Sequence, residues 1–215
     1  MKYRHIFFDL DGTITDSGPG IMKSVQYALK KYGIDEPDPE NLKSFVGPPL
    51  NESFHERYGF GEKDYEGLLK AYREYYNVRG IYENAVYPGV EKLLGDLNAA
   101  GLNCYIATTK PARPTGVVLS YFSLSRYFKD VSCGSDEPDK GKKGYVIRML
   151  MEKNEITDRD SAVMIGDRSH DMIGAAENGI HSFGVLYGYG SSGELKDAGA
   201  EKLVSSAEEI ADCLL

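Results

Sequence analysis

The chain contains no tryptophan and only 3 cysteines. Cys104, Cys133 and Cys213 are odd in number, widely spaced and never arranged as C-x-x-C, so neither a disulfide framework nor a zinc site is suggested. No apolar run approaches the roughly 18 residues needed to cross a bilayer. Before the first acid, only Ile6, Phe7 and Phe8 form an uninterrupted apolar stretch, too short for the core of a secretory signal. A cytoplasmic protein with no membrane partner is expected. Positive charge is also in deficit: 25 Lys and Arg against 33 Asp and Glu give a formal net charge of −8, which argues against non-specific attraction to nucleic acid. What is present is an ordinary globular composition, 41% hydrophobic and 27% charged over 215 residues. At that size roughly 70% of the chain's surface is expected to be buried, enough for a substantial core. The length allows one domain with a large insertion, or two small ones.

Short apolar runs bounded by turn residues alternate with helical periodicity, the pattern of βαβ units around a parallel sheet. Strands are expected at His5–Phe8, Asn103–Ala107, Asp130–Cys133, Ala162–Ile165 and Ser182–Leu186, with Lys202–Val204 as a sixth. The stretch from Asp16 to Asn84 breaks the alternation and contains no convincing strand. There Ile21, Val25, Ala28, Leu29 and Tyr32 recur at helical spacing, as do Tyr65, Leu68, Leu69, Tyr72, Tyr75 and Tyr76. The fold class is therefore α/β, a Rossmann-like parallel-sheet core (residues 1–15 and 85–215) with a small all-helical unit (16–84) inserted after the first strand. Ligands of such sheets bind outside the carboxyl ends of the strands.

The first strand runs into Asp9-Leu10-Asp11-Gly12-Thr13, so two carboxylates at i and i+2 lie on one side of an extended chain. Much later an apolar strand runs into Gly166-Asp167-Arg168-Ser169-His170-Asp171, whose acids at i and i+4 become neighbours if a helix starts there. Any one of these aspartates taken alone is more simply a helix cap or a strand terminator. Four of them at one sheet edge repel each other and call for a cation. An all-oxygen donor set favours a hard ion, and Mg²⁺ suits a phosphate substrate.

These residues resemble the haloacid dehalogenase-like superfamily. Its pattern is D-x-D-G-T on the first strand, Thr or Ser ending the second, a lysine after the third, and G-D-x-x-x-D ending the fourth. The matches are Asp9 to Thr13, Thr108 in Ile106-Ala107-Thr108-Thr109-Lys110, a lysine among Lys140, Lys142 and Lys143, and Gly166 to Asp171. They fall in family order over the whole chain. The position of the insertion resembles the helical cap of the subclass that includes phosphoglycolate phosphatases and β-phosphoglucomutases. Phe45-Val46-Gly47-Pro48-Pro49-Leu50 and Gly188-Tyr189-Gly190 are similar to the 5′-nucleotidase-like branch.

The resemblance implies a phosphatase acting on small phosphorylated metabolites. In it Asp9 attacks phosphorus to form an aspartyl-phosphate, and Asp11 protonates the leaving oxygen and later deprotonates water. Mg²⁺ would be held by Asp9, the Asp11 backbone carbonyl and Asp167, with Asp171 orienting the shell. At 3.5 Å a carboxylate and a phosphate repel by about 5 kcal/mol per unit charge at an effective dielectric of 20, which the ion must offset. Thr108, Gly12 and a lysine would contact the phosphate. Lys143 is preferred because it opens a helical pattern (Val146, Ile147, Leu150), and Lys110 is the alternative. Asp at position 11 points to phosphoester chemistry. Leu50, where a phosphomutase of this subclass has an arginine, favours hydrolysis of a small leaving group. A β-phosphoglucomutase-type mutase and a non-catalytic phosphate-binding protein are the alternatives, and a monomer or homodimer is expected. The tyrosines from Tyr72 to Tyr76 read as packing, and His170 as a structural neighbour.

Overall fold

The computed structural model describes residues 2–135 and 140–215. Its elements are β1 (His5–Phe8), β2 (Thr15–Asp16), α1 (Gly18–Lys31), α2 (Leu50–Tyr58), α3 (Glu62–Tyr76), β3 (Ala85–Val86), α4 (Val90–Ala99), β4 (Asn103–Pro111), α5 (Ala112–Tyr121), β5 (Asp130–Gly134), α6 (Lys143–Lys153), β6 (Ala162–Gly166), α7 (Ser169–Asn178), β7 (His181–Val185), α8 (Ser192–Asp197), β8 (Lys202–Val204) and α9 (Ala207–Leu214). A long 3-10 turn, Pro39–Phe45, joins α1 to α2, and a short one, Gly80–Tyr82, follows α3.

Six strands form one sheet in the order β5-β4-β1-β6-β7-β8, with every pairing parallel. Alternation along the strands splits the core into two layers. Ile6, Phe8, Cys104, Ile106, Val163 and Ile165 pack with Leu93, Leu97, Val118 and Ile210, and this layer continues into Ile21, Val25, Leu29 and Leu68 of α1 and α3. Phe7, Tyr105, Ala107 and Met164 point the other way, onto Val146, Ile147 and Leu150 of α6 and Ala175 of α7. Coverage on both faces is why these strands read as near-continuous apolar runs. Among the described residues, no helix is long and apolar enough to cross a membrane.

Two expectations need correction. The fifth strand begins one residue earlier than Ser182, at His181, which pairs with Val163 and sets its ring edge-on to Tyr3 at 5.3 Å. Aromatic packing accommodates a polar residue there that apolar patterning passes over. The stretch from Asp16 to Asn84 is also not strand-free: Asp16 belongs to β2, which pairs antiparallel with β3 just after that stretch ends. Strands of two residues are too short to show a period. This ribbon lies where the chain leaves for α1 and returns after α3. The helical stripes behave as their spacing predicts, with Ile21, Val25, Ala28, Leu29, Leu68, Tyr72 and Tyr76 buried; Tyr32, just past the end of α1, is exposed.

Candidate active site

The strand order changes direction at β1, which lies between β4 and β6, so the carboxyl ends of these three strands open onto one crevice. Asp9, just past β1, is tied to β6 by a hydrogen bond from its N–H to the Ile165 carbonyl, 2.9 Å. The chain then turns tightly: Ile14 and Thr15 both donate to the Leu10 carbonyl at 3.0 Å, and Gly12 N donates to Thr15 O at 2.7 Å. Gly12 takes φ +88°, a conformation glycine adopts without steric cost, and a Cβ there would stand 2.2 Å from Asp167 Oδ2.

Asp9, Asp167 and Asp171 are buried and bring carboxylate oxygens within 4.8 Å of one another. Lys143, the first residue of α6, reaches into this group. Its Nζ lies 2.6 Å from Asp9 Oδ1, 2.8 Å from Asp171 Oδ1 and 2.8 Å from the Ala107 carbonyl. Of the lysines open to choice in the sequence, Lys140 and Lys142 are exposed and Lys143 is buried. Burial pushes the Asp9 carboxyl up to about 6 against the pull of Lys143, with the charges of Asp171 and Asp11 adding to the rise. Asp167 is driven well above the carboxylate range by burial and then by Asp171 and Asp9. Its oxygens accept from Thr13 Oγ1 (3.3 Å) and Tyr189 N (2.8 Å), and among the described residues no cation forms an ion pair with it. Lys143 stays protonated because Asp171 and Asp9 outweigh the burial that alone would lower it.

Asp11 stands apart from that trio. The β4–β5 register shifts between Thr108 and Pro111, and this irregularity turns Lys110 toward Asp11. Lys110 Nζ donates to both carboxylate oxygens, at 3.0 and 2.9 Å. Thr108 is buried at the same strand end, its Oγ1 accepting from Lys110 N. The crevice thus holds four carboxylates and two ammonium groups, all buried. The donor set fits a divalent ion: it is all oxygen, and four carboxylates face only two ammonium groups.

Several residues that the sequence pattern left aside also border the site. Tyr76 lays its ring 4.9 Å from Lys110 Nζ and stacks on Tyr72 at 5.2 Å, so the tyrosines read as packing pack against the site itself. Arg168 donates from Nη1 to Val46 O (2.5 Å) and from Nε to Glu194 (2.9 Å), while Thr109 Oγ1 donates to Gly47 O (3.1 Å). The Gly188-Tyr189-Gly190 loop wraps Asp167: a Cβ at Gly188 would lie 2.3 Å from Asp167 Cβ, and one at Gly190 would lie 1.9 Å from Asp167 O. The glycines flanking Tyr189 were the available signal. Arg79, Arg113 and His170 are exposed.

Comparison with known proteins gives a consistent result. The family model described as haloacid dehalogenase-like hydrolase matches residues 6–185. A Pseudomonas aeruginosa protein named 5′-nucleotidase is 41% identical over 196 residues, covering 91% of this chain and 88% of its own length. A Mycobacterium tuberculosis protein named tyrosine-protein kinase PtkA is 37% identical over 186 residues, and the match spans 86% of this chain but only 62% of that protein. The crystal structure of a predicted phosphatase from Clostridium acetobutylicum superposes with a TM-score of 0.95 at 43% identity, covering 100% of this chain and 99% of that one.

Proposed function

This chain belongs to the haloacid dehalogenase-like hydrolase family as one of its phosphatases, acting on phosphoric monoesters, and we propose that it hydrolyses nucleoside-monophosphate-like substrates through a phosphorylated Asp9. The observation that carries this reading is the ion pair of Lys143 with Asp9 and Asp171 inside the buried acidic trio. It aims a carboxylate nucleophile and a phosphate-binding ammonium at one point. The relative named 5′-nucleotidase, similar over nearly the whole chain, favours a nucleotide.

Asp9 Oδ attacks phosphorus, the bond to the ester oxygen breaks, and Asp11 gives that oxygen its proton. Asp11 then takes a proton from water, whose oxygen attacks the phosphoryl group; phosphate leaves and the Asp9 carboxylate is restored. Thr108, the Gly12 backbone, Lys143 and Lys110 stabilise the phosphoryl oxygens. Asp9, Asp167 and Asp171, with the Asp11 carbonyl, would hold Mg²⁺, which when bound offsets the repulsion between carboxylate and phosphate. Residues 16–84 act as a cap over the core formed by 1–15 and 85–215, excluding bulk water from the site.

The test is phosphate release, with and without Mg²⁺, from nucleoside monophosphates, phosphoglycolate, hexose phosphates and an aryl phosphate. Release that requires Mg²⁺ and disappears in Asp9→Asn is expected, with a nucleotide giving the highest kcat/KM. Full activity in Asp9→Asn overturns the phosphoenzyme. Phosphoglycolate ranking first overturns the nucleotide. Isomerisation of a sugar phosphate without net release identifies a mutase.

A further inference from the structure

Buried polar atoms without partners are uncommon in folded proteins, and each costs the desolvation of the group. Among the described residues, four such side-chain atoms belong to three residues around one place: Thr15 Oγ1, Ser17 Oγ and both amide atoms of Asn84. Thr15, Ser17 and Tyr76 are more than nine-tenths buried.

The fold gathers them beside Asp11. Thr15 is bridged to Asp11 directly. In the β2–β3 ribbon Thr15 faces Val86 and Asp16 faces Ala85, and Ser17 and Asn84 are the next residues beyond this last pair on the two chains. The same antiparallel approach continues to Gly20, whose N–H reaches Glu83 O at 3.1 Å. Ser17 follows β2 directly and already has helical backbone, φ −89° and ψ −3°, as the N-cap of α1. Tyr76 enters from α3 with its ring over Lys110, the lysine that holds Asp11. Ser17 adds an independent sign. It occupies the N-cap position of α1, where a serine hydroxyl ordinarily accepts from the first turn, yet its side chain makes no capping bond.

We propose that Thr15, Ser17, Tyr76 and Asn84 form a polar subsite that binds the pentose hydroxyls of a nucleoside 5′-monophosphate during hydrolysis. This rests on the reaction at Asp9 proposed above. The set is uncharged and offers both donors and acceptors: three hydroxyls that can do either, and an amide that supplies one of each. That matches vicinal hydroxyl groups and suits neither a second phosphate nor an apolar group. Its place beside the residue that protonates the leaving oxygen puts it against the leaving group. Substrate hydroxyls complete the bonds that the protein alone leaves open.

Two measurements test this. The first compares kcat/KM for a nucleoside 5′-monophosphate, its 2′,3′-dideoxy analogue and ribose 5-phosphate. The wild-type enzyme is expected to favour the nucleotide over the dideoxy analogue on the order of 10–100-fold. Ser17→Ala and Asn84→Leu should bring that ratio to within about twofold of unity. A wild-type ratio near one, or a ratio preserved in both variants, overturns the subsite. A preference for ribose 5-phosphate over the nucleotide overturns the nucleotide assignment.

The second is thermal melting without substrate, which does not depend on activity. Removing an unpaired buried hydroxyl by Thr15→Val or Ser17→Ala should raise Tm, on the order of 2–4 °C each. A fall in both variants shows that these hydroxyls serve the folded structure and overturns the proposal. Should the wild-type protein turn over no phosphomonoester, the reaction at Asp9 fails while the melting result still decides the subsite.

Discussion

Asp167 and Lys143 share one buried cluster, yet replacing them is expected to move stability in opposite directions. Asp167 is buried, crowded by Asp171 and Asp9 and without an ion-pair partner among the described residues, so keeping it ionised in the metal-free protein works against folding. In Asp167→Asn the amide oxygen can still accept from Tyr189 N, and its nitrogen can donate to Thr13 Oγ1. The metal-free variant should therefore melt above wild type, by roughly 2–4 °C for each kcal/mol of repulsion removed. If Mg²⁺ binds as proposed, it should also lose the stabilisation that the ion would give the wild type, about 2.7 kcal/mol at a hundredfold excess over Kd. Lys143→Met does the reverse. It strips the cation from Asp9 and Asp171 and should cost about 3–5 kcal/mol, with phosphatase activity lost. Melting curves of both variants with a chelator and with Mg²⁺ check this; a drop in Tm for metal-free Asp167→Asn would contradict it.

Between elements, the segment joining Pro39–Phe45 to α2 is fastened to the core through its backbone carbonyls. Thr109 and Arg168, which hold Gly47 O and Val46 O, immediately follow Thr108 and Asp167. Glu194 steadies Arg168 and also accepts from Ser169 N at the start of α7. Arg168→Ala should release this end of the insertion. Amides from Val46 through α2 are expected to exchange with solvent roughly tenfold faster or more, and kcat/KM should fall with them. Unchanged exchange would show that Thr109 alone suffices. These fastenings were not legible in the sequence because the insertion contributes carbonyls, which every residue has, and the donors come from distant positions. The convergence of Asp9, Asp167 and Asp171, with Asp11 beside them in the same crevice, was legible, since each lies at a fixed step beyond a recognisable apolar run. In the sequence Lys143 is preferred because it opens a helical pattern, with Lys110 as the alternative, and the structure buries Lys143 together with Val146 and Ile147. Tyr76 packs as its helical spacing implies. Helical spacing shows that a ring is buried, and does not show that the surface it is buried against is Lys110.

Across the whole molecule, the core layer is continuous from Ile6 and Phe8 of the sheet to Val25, Leu29 and Leu68 of the inserted helices, so one cooperative transition is expected rather than two. Alkaline titration can reveal it, because groups on both sides hold their protons late. Burial pushes the Cys104 thiol and the Tyr105 hydroxyl of β4 up to about 12. Tyr58, at the end of α2, is likewise raised to about 12 by burial and by the charge of Glu36. Each group would lose its proton near 9 to 10 in the unfolded chain, so between that point and about 12 the unfolded state alone gains free energy by ionising. The stability they contribute is complete below about pH 9 and drains away as pH rises toward 12. The tyrosinate absorbance that is lost in Tyr105→Phe and far-UV circular dichroism, followed together from pH 8 to 12, should then show coincident midpoints. Tyr105→Phe should flatten the decline by removing one of the released protons. A tyrosinate signal from Tyr58 well before the sheet unfolds, absent in Tyr58→Phe, would mean that the inserted helices open by themselves and that the shared apolar layer does not couple them to the core.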